Sequence, residues 1–194
     1  MQNVFIKSDY KSCGWNFFER IKLFLFDLKC CKDRITKGYC EKDLWSIDYW
    51  FLEVMPSMLS DFQQDLKGCP GVFVEKYSEE NCHKEWEAVL KKMVFLLNEV
   101  NEETCKRINP YAEEHRKAFC EFEEKYGLFG EKLQTDEESS DKNTRRIHFM
   151  SEVPEYAEIS EQYSAAEKEL STYQDQCKNE ALALFSEWFW DLWD

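Results

Sequence analysis

Residues 154–194 carry apolar side chains at Tyr156, Ile159, Tyr163, Ala166, Leu170, Tyr173, Cys177, Ala181, Leu184, Trp188 and Leu192, always three or four positions apart. That spacing is one face of an α-helix. Between these positions stand Glu158, Glu161, Glu167, Lys168, Glu169, Asp175, Lys178 and Glu180, a solvated opposite face. Toward the end, Phe185, Trp188, Phe189, Trp190, Leu192 and Trp193 leave the last two turns apolar nearly all round. A helix like that is not stable alone in water and must bury its end against the rest of the chain or a partner. Pairing of this helix with a second copy of the chain is one such arrangement.

The remaining chain reads as shorter helices. Residues 15–31 place Phe17, Phe18, Ile21, Phe24, Leu25 and Leu28 at helical spacing, and Gly38 ends the segment after them. A second helix starts at Asp43 as N-cap, with a stripe of Trp45, Tyr49, Leu52, Met55, Leu59, Phe62 and Leu66, and a kink near 52–55 caused by Pro56. Gly68, Pro70 and Gly71 break it, and residues 69–77 read as a loop. A third helix is capped by Ser78 and carries Trp86, Val89, Leu90, Met93, Leu96, Leu97 and Val100. A fourth starts at Asn109-Pro110, with Asn109 as cap and Pro110 at the first helical position, and runs to Gly127. Residues 134–146 contain no apolar side chain and read as a mobile acidic loop. The expected fold is therefore all-α. It is a single-domain bundle of about five helices over residues 1–194, with the long carboxy-terminal helix packed along the second and third.

Charge narrows the function. The net charge is −14, which argues against direct nucleic-acid binding because phosphate contacts need an excess of Lys and Arg. Residues 1–42 hold nine Lys/Arg against five Asp/Glu, so +4, which leaves −18 to the rest. A basic amino end on an acidic body suits internal pairing, a basic protein partner, or an anionic small ligand. The most apolar run, 17–28, is interrupted by Glu19, Arg20, Lys22 and Asp27, so no membrane span is expected. Residues 1–8 lack the apolar core of a signal peptide. Nine cysteines, an odd number with Cys30 and Cys31 adjacent, read as thiols of a reducing cytoplasm.

Enzyme chemistry finds little footing. Glu80-x-x-His83 is half of a carboxylate-bridged di-iron pattern, and the second half is missing: Ala112 precedes His115 and Arg145 precedes His148 at the required spacing. Cys82 and His83 are adjacent, so on a helix they point about 100° apart rather than acting as nucleophile and base. No Cys-x-x-Cys or His-x-x-x-His spacing marks a zinc site, and no glycine loop marks a phosphate site. No catalytic, cofactor or metal residue is assigned on this reading.

Contact residues remain. Asp48, beside the second stripe, needs a cation or hydrogen bonds if buried. It reads either as a buried pair with Arg20, Arg34 or a tryptophan N–H, or as a ligand contact at a pocket rim. Arg145 and Arg146 are either a solvated loop pair or a fork for a phosphate or carboxylate. Trp188, Trp190 and Trp193 are either core or an exposed anchor for a partner. A small-molecule reading places Trp45, Tyr49 or Trp86 around a pocket with Lys or Arg at its rim.

Three segments read together: Gly38-Tyr-Cys-Glu-Lys-Asp43-Leu-Trp45-Ser-Ile-Asp48-Tyr49, Glu85-Trp86-Glu-Ala-Val-Leu90-Lys-Lys-Met93, and Leu182-Ala-Leu184-Phe185-Ser-Glu-Trp188-Phe189-Trp-Asp-Leu192-Trp193-Asp194. Covering about a quarter of the chain, they resemble a family of helical proteins encoded by tailed phages and prophages. That family carries an Asp-x-Trp-x-x-Asp segment, a Glu-Trp…Met helix and a terminal Leu-Phe-x-x-aromatic-Phe-x-x-Leu-Trp-Asp. Its Pro-Arg-Leu-Lys stretch is replaced here by Pro56-Ser57-Met58-Leu59, and residues 101–146 look like an expansion. The resemblance implies a phage origin and a helical protein of the infected bacterial cytoplasm, and it implies no activity. The resulting expectation is a non-enzymatic protein that binds a host factor, such as a component of an antiviral defence, through acidic mimicry of nucleic acid. Its rival is a sponge for a nucleotide signal.

Overall fold

The computed structural model describes residues 17–77, 79–135 and 146–193. Those residues form six α-helices and four short 3-10 turns, with no strand among them. The fold is all-α, with a long carboxy-terminal helix. The described residues divide into two compact units: those up to Thr104 together with those from Cys177 onward, and Cys105–Gln176.

In the first unit, α1 (Phe17–Lys37) runs six residues past its expected end, with Arg34 and Lys37 placed where the helix dipole favours cations. It stops at Gly38, whose φ of +81° is a left-handed conformation and whose N–H bonds Arg34 O at 2.9 Å. Its apolar face stays at the surface: Phe18, Ile21, Phe24, Leu25 and Leu28 are all exposed. Asp43 does not cap a helix. It begins a 3-10 turn, Asp43–Trp45, and α2 (Ile47–Gln64) follows. Trp45, expected in the buried stripe, therefore sits outside the helix at 87% exposure. The α2 helix continues through buried Pro56, and the Ser60 hydroxyl donates to Pro56 O at 2.7 Å.

The segment expected to be a loop contains a short helix, α3 (Gly71–Lys76), begun by a turn in which Phe73 N–H bonds Pro70 O. The burial of Phe73 holds it, with the ring 5.8 Å from Trp86 and 4.9 Å from Trp188. Helix α4 (Glu79–Val100) supplies the core: Cys82, Trp86, Leu90, Met93, Leu96 and Leu97 are buried along one face. Ser78, its expected cap, lies outside the described residues.

Helix α6 (Pro154–Trp188) ends in this unit, followed by a 3-10 turn, Phe189–Asp191. Side chains of its last turns touch α2 and α4. Phe185 meets Phe51 edge-on at 6.2 Å, Trp188 meets Trp86 at 5.6 Å, and Glu180 pairs with Lys92 at 2.5 Å. Residues 154–176 instead build the second unit with α5 (Ala112–Tyr126).

That second unit is centred on buried Phe122, Met150 and Tyr156, flanked by Phe119, Tyr126, Leu133, Val153 and Ile159. Asn109 acts before α5 rather than as its cap. Its side-chain oxygen accepts from Tyr111 N–H at 2.9 Å, and its amide donates to Tyr163 O and the Glu167 carboxylate. Gly130 has φ +65°, and a Cβ there would meet the His148 Cβ at 2.7 Å. Of the expected 134–146 loop, residues 136–145 lie outside the described residues.

Candidate interaction cleft

The first unit holds a cleft of about 530 Å³. The start of α2 gives it Ser46, Asp48, Tyr49, Phe51 and Leu52. The end of α4 and the turn after it give Leu97, Val100, Asn101, Glu102 and Glu103, and α6 gives Lys178 and Leu182. The floor is aliphatic and aromatic, while Asp48, Glu102 and Glu103 put three carboxylates on exposed wall positions.

One buried amide builds the turn that carries two of those carboxylates. Asn101 is 4% exposed. Its side-chain nitrogen donates to Glu53 Oε1 at 3.0 Å, and its oxygen accepts from Glu103 N–H at 2.9 Å. The Thr104 hydroxyl closes the turn by donating to Asn98 O at 2.7 Å. The Tyr49 hydroxyl donates to Glu103 Oε1 at 3.2 Å across the cleft. Burial, and then the nearby Glu53 and Glu103 charges, push the Tyr49 phenol above its ordinary value. The phenol thus remains a neutral donor, fixing one wall to the other.

Asp48 is exposed on the cleft wall, which corrects its expected burial in an ion pair. The buried pair belongs to Asp43. Arg34 Nε donates to Asp43 Oδ2 at 3.0 Å, its Nη2 donates to Oδ1, and Cys40 N–H adds a third donor at 2.7 Å. The Arg34 guanidinium holds the Asp43 carboxyl below the usual carboxylate range.

The other expected contacts scatter. Trp45 is exposed but lines no part of the cleft, and Trp86 is buried at 1% in the core. Trp188 is half-buried against Phe73 and Trp86, whereas Trp190 and Trp193 are 82% and 75% exposed, so the aromatic end divides between core and surface. Arg146 lies 3.8 Å from Glu152, which also engages His148 Nδ1 at 3.0 Å; Arg145 lies outside the described residues. Sequence reasoning missed Glu102, Glu103 and Lys178. The first two come just after a helix end whose turn is set by Asn101, and only the Asn-Glu-Glu run hinted at it. No helix among the described residues is long and apolar enough to cross a membrane.

Comparison of the chain with protein-family models, curated proteins and solved structures finds no match.

Proposed function

We propose that this chain is a non-enzymatic interaction protein that engages a basic surface of a host protein through the Asp48–Glu102–Glu103 cleft. The cleft carries the reading. Its floor, with Phe51, Leu52, Leu97 and Leu182, takes the aliphatic stem of a lysine or arginine, and its rim carboxylates take the charged head. The net charge of −14 steers a cationic partner toward it over a longer range. Exposed Trp190 and Trp193 add rigid apolar area suited to an interface. Together with the phage-like segments, these features favour a phage-encoded protein of the infected bacterial cytoplasm. Its target would be a host factor with a nucleic-acid-binding groove, including one from an antiviral defence.

A nucleotide sponge fits the cleft less well. Tyr49 and Lys178 are present, but three carboxylates around them repel phosphates.

The test is affinity capture from bacterial lysate at low salt, using tagged wild-type protein beside Asp48→Lys/Glu103→Lys. A stoichiometric partner retained by the wild type, lost from the variant and released by salt is expected. Equal retention by both proteins defeats the cleft assignment. A co-purifying ultraviolet-absorbing small molecule, without a protein, moves the function to ligand binding.

A further inference from the structure

Outside the cleft, one group of side chains has a composition that sequence spacing conceals. Cys69 comes from the turn between α2 and α3, and Cys82 and His83 from the start of α4. Their two sulfurs and one ring nitrogen all lie within 4.8 Å of one another. We propose that Cys69, Cys82 and His83 form a binding site for a thiophilic divalent cation of the Zn²⁺ class, with water in the fourth position.

The donor set selects the ion. Two thiolates and an imidazole are soft-to-borderline ligands that favour Zn²⁺ over Mg²⁺ or Ca²⁺, and three protein donors leave one tetrahedral position open. The spacing is close to what such an ion needs. Donors at about 2.3 Å for sulfur and about 2.0 Å for nitrogen stand roughly 3.5–3.8 Å apart around a tetrahedral centre, about 1 Å inside the observed limit. Side-chain rotation, least hindered for the exposed His83, is the motion that would bring the donors together around an ion. Cys82 and His83 are neighbours on the helix, yet their donor atoms also lie within 4.8 Å of each other, and Cys69 approaches both.

Placement separates the donors by role. Cys82 is 3% exposed and Cys69 is half-buried, so the sulfurs sit on the protein side, while exposed His83 faces the solvent from which the ion arrives. An ion held there ties the turn at 65–70 to the start of α4, across the short α3 helix between them. The three donors are brought together by the fold, so the ion favours the folded state and raises the melting temperature.

The experiment uses the full chain, purified with reductant and freed of metal, titrated with Co²⁺ and then Zn²⁺. The expected result is a one-to-one complex with the visible absorption of tetrahedral Co²⁺ and a thiolate-to-metal charge-transfer band, both erased by Zn²⁺. Zn²⁺ alone should raise the melting temperature. His83→Gln changes an exposed side chain and should keep the metal-free melting temperature while weakening Co²⁺ binding about tenfold or more. Cys69→Ser should weaken Co²⁺ binding and lower the charge-transfer intensity per bound ion, because only the Cys82 thiolate remains. The absence of that band in the wild type overturns the proposal. So does undiminished Co²⁺ binding by both variants, which would place the ion elsewhere, such as at the paired Cys30 and Cys40 thiols.

Discussion

Arg34 and Asp43 join the end of α1 to the turn before α2 by two parallel hydrogen bonds, with side chains only 13% and 7% exposed. Lys42–Asp27 at 2.6 Å and Lys29–Glu41 at 3.4 Å lie along the same junction. Since Phe18, Ile21, Phe24, Leu25 and Leu28 face outward and only Cys30 is buried among the apolar side chains described, the attachment of α1 leans on these polar contacts.

Arg34→Met should therefore cost about 3 kcal/mol, because it strands a carboxylate that is 8% exposed beside only the Cys40 donors. Acid should act on the same pair. The Asp43 carboxyl is depressed below its unfolded value of 3.8, so its contribution is complete above that pH and disappears as the pH falls through the folded value. Urea denaturation at about pH 5 and pH 3 checks both, with Asp43→Asn expected to show the shallower pH dependence. A loss below about 0.5 kcal/mol for Arg34→Met would rank the pair with ordinary surface bridges.

Tryptophan accessibility should separate into classes. Trp45, Trp190 and Trp193 are open to acrylamide, while Trp86 is shielded by Phe73 and Trp188. Trp86→Phe should remove the unquenched component of the fluorescence. Trp86→Ala should cost about 3–5 kcal/mol. Uniform quenching of all tryptophans would contradict this packing.

Two glycines with positive φ differ in their surroundings. A methyl group added at Gly38 would have nothing within 4 Å, whereas one added at Gly130 would meet His148 Cβ at 2.7 Å and His148 O at 2.8 Å. Gly38→Ala should cost about 1 kcal/mol from backbone strain alone, and Gly130→Ala about 2–3 kcal/mol or more. Thermal denaturation of the two variants orders them, and a reversed order would refute the close approach at Gly130.

His115 stacks on Tyr163 with ring centroids 4.0 Å apart, and burial pushes its pKa below 6.5 despite the opposing charge of Glu167. The unfolded chain therefore takes up this proton first. Stability contributed here is present above about pH 6.5 and falls as the pH drops through the depressed folded value. Proton NMR should find His115 titrating below 6.5 in the wild type and closer to 6.5 in Tyr163→Ala.

The legible part of the sequence was its periodicity. The three-and-four spacing from Tyr156 to Trp188 marked the longest helix, and the Trp86–Leu97 stripe marked the core. The misread positions share one cause, which is that partners distant in sequence decide burial. Asp43 and Asp48 look alike as carboxylates near an apolar run, but only Asp43 bonds Arg34. Trp45 fits the stripe of α2 by count, and the 3-10 turn at Asp43–Trp45 rotates it out. Phe73 lies in a run of only three apolar residues, Val72–Val74, after the turn formers Gly68, Pro70 and Gly71, and its helix exists because Trp86 and Trp188 cover it. The cleft acids and the Cys69–Cys82–His83 group likewise combine elements whose proximity no local pattern encodes.

The acidic cleft as a dock for a basic partner is tested most directly by the salt dependence of the captured complex. Affinity is measured from low to physiological ionic strength for wild-type protein and for Asp48→Lys/Glu102→Lys/Glu103→Lys. The expected result is wild-type affinity that falls steeply with salt and a variant that binds at least tenfold more weakly at low salt, about 1.4 kcal/mol or more. Equal affinities for the two proteins, unchanged by salt, would contradict the account.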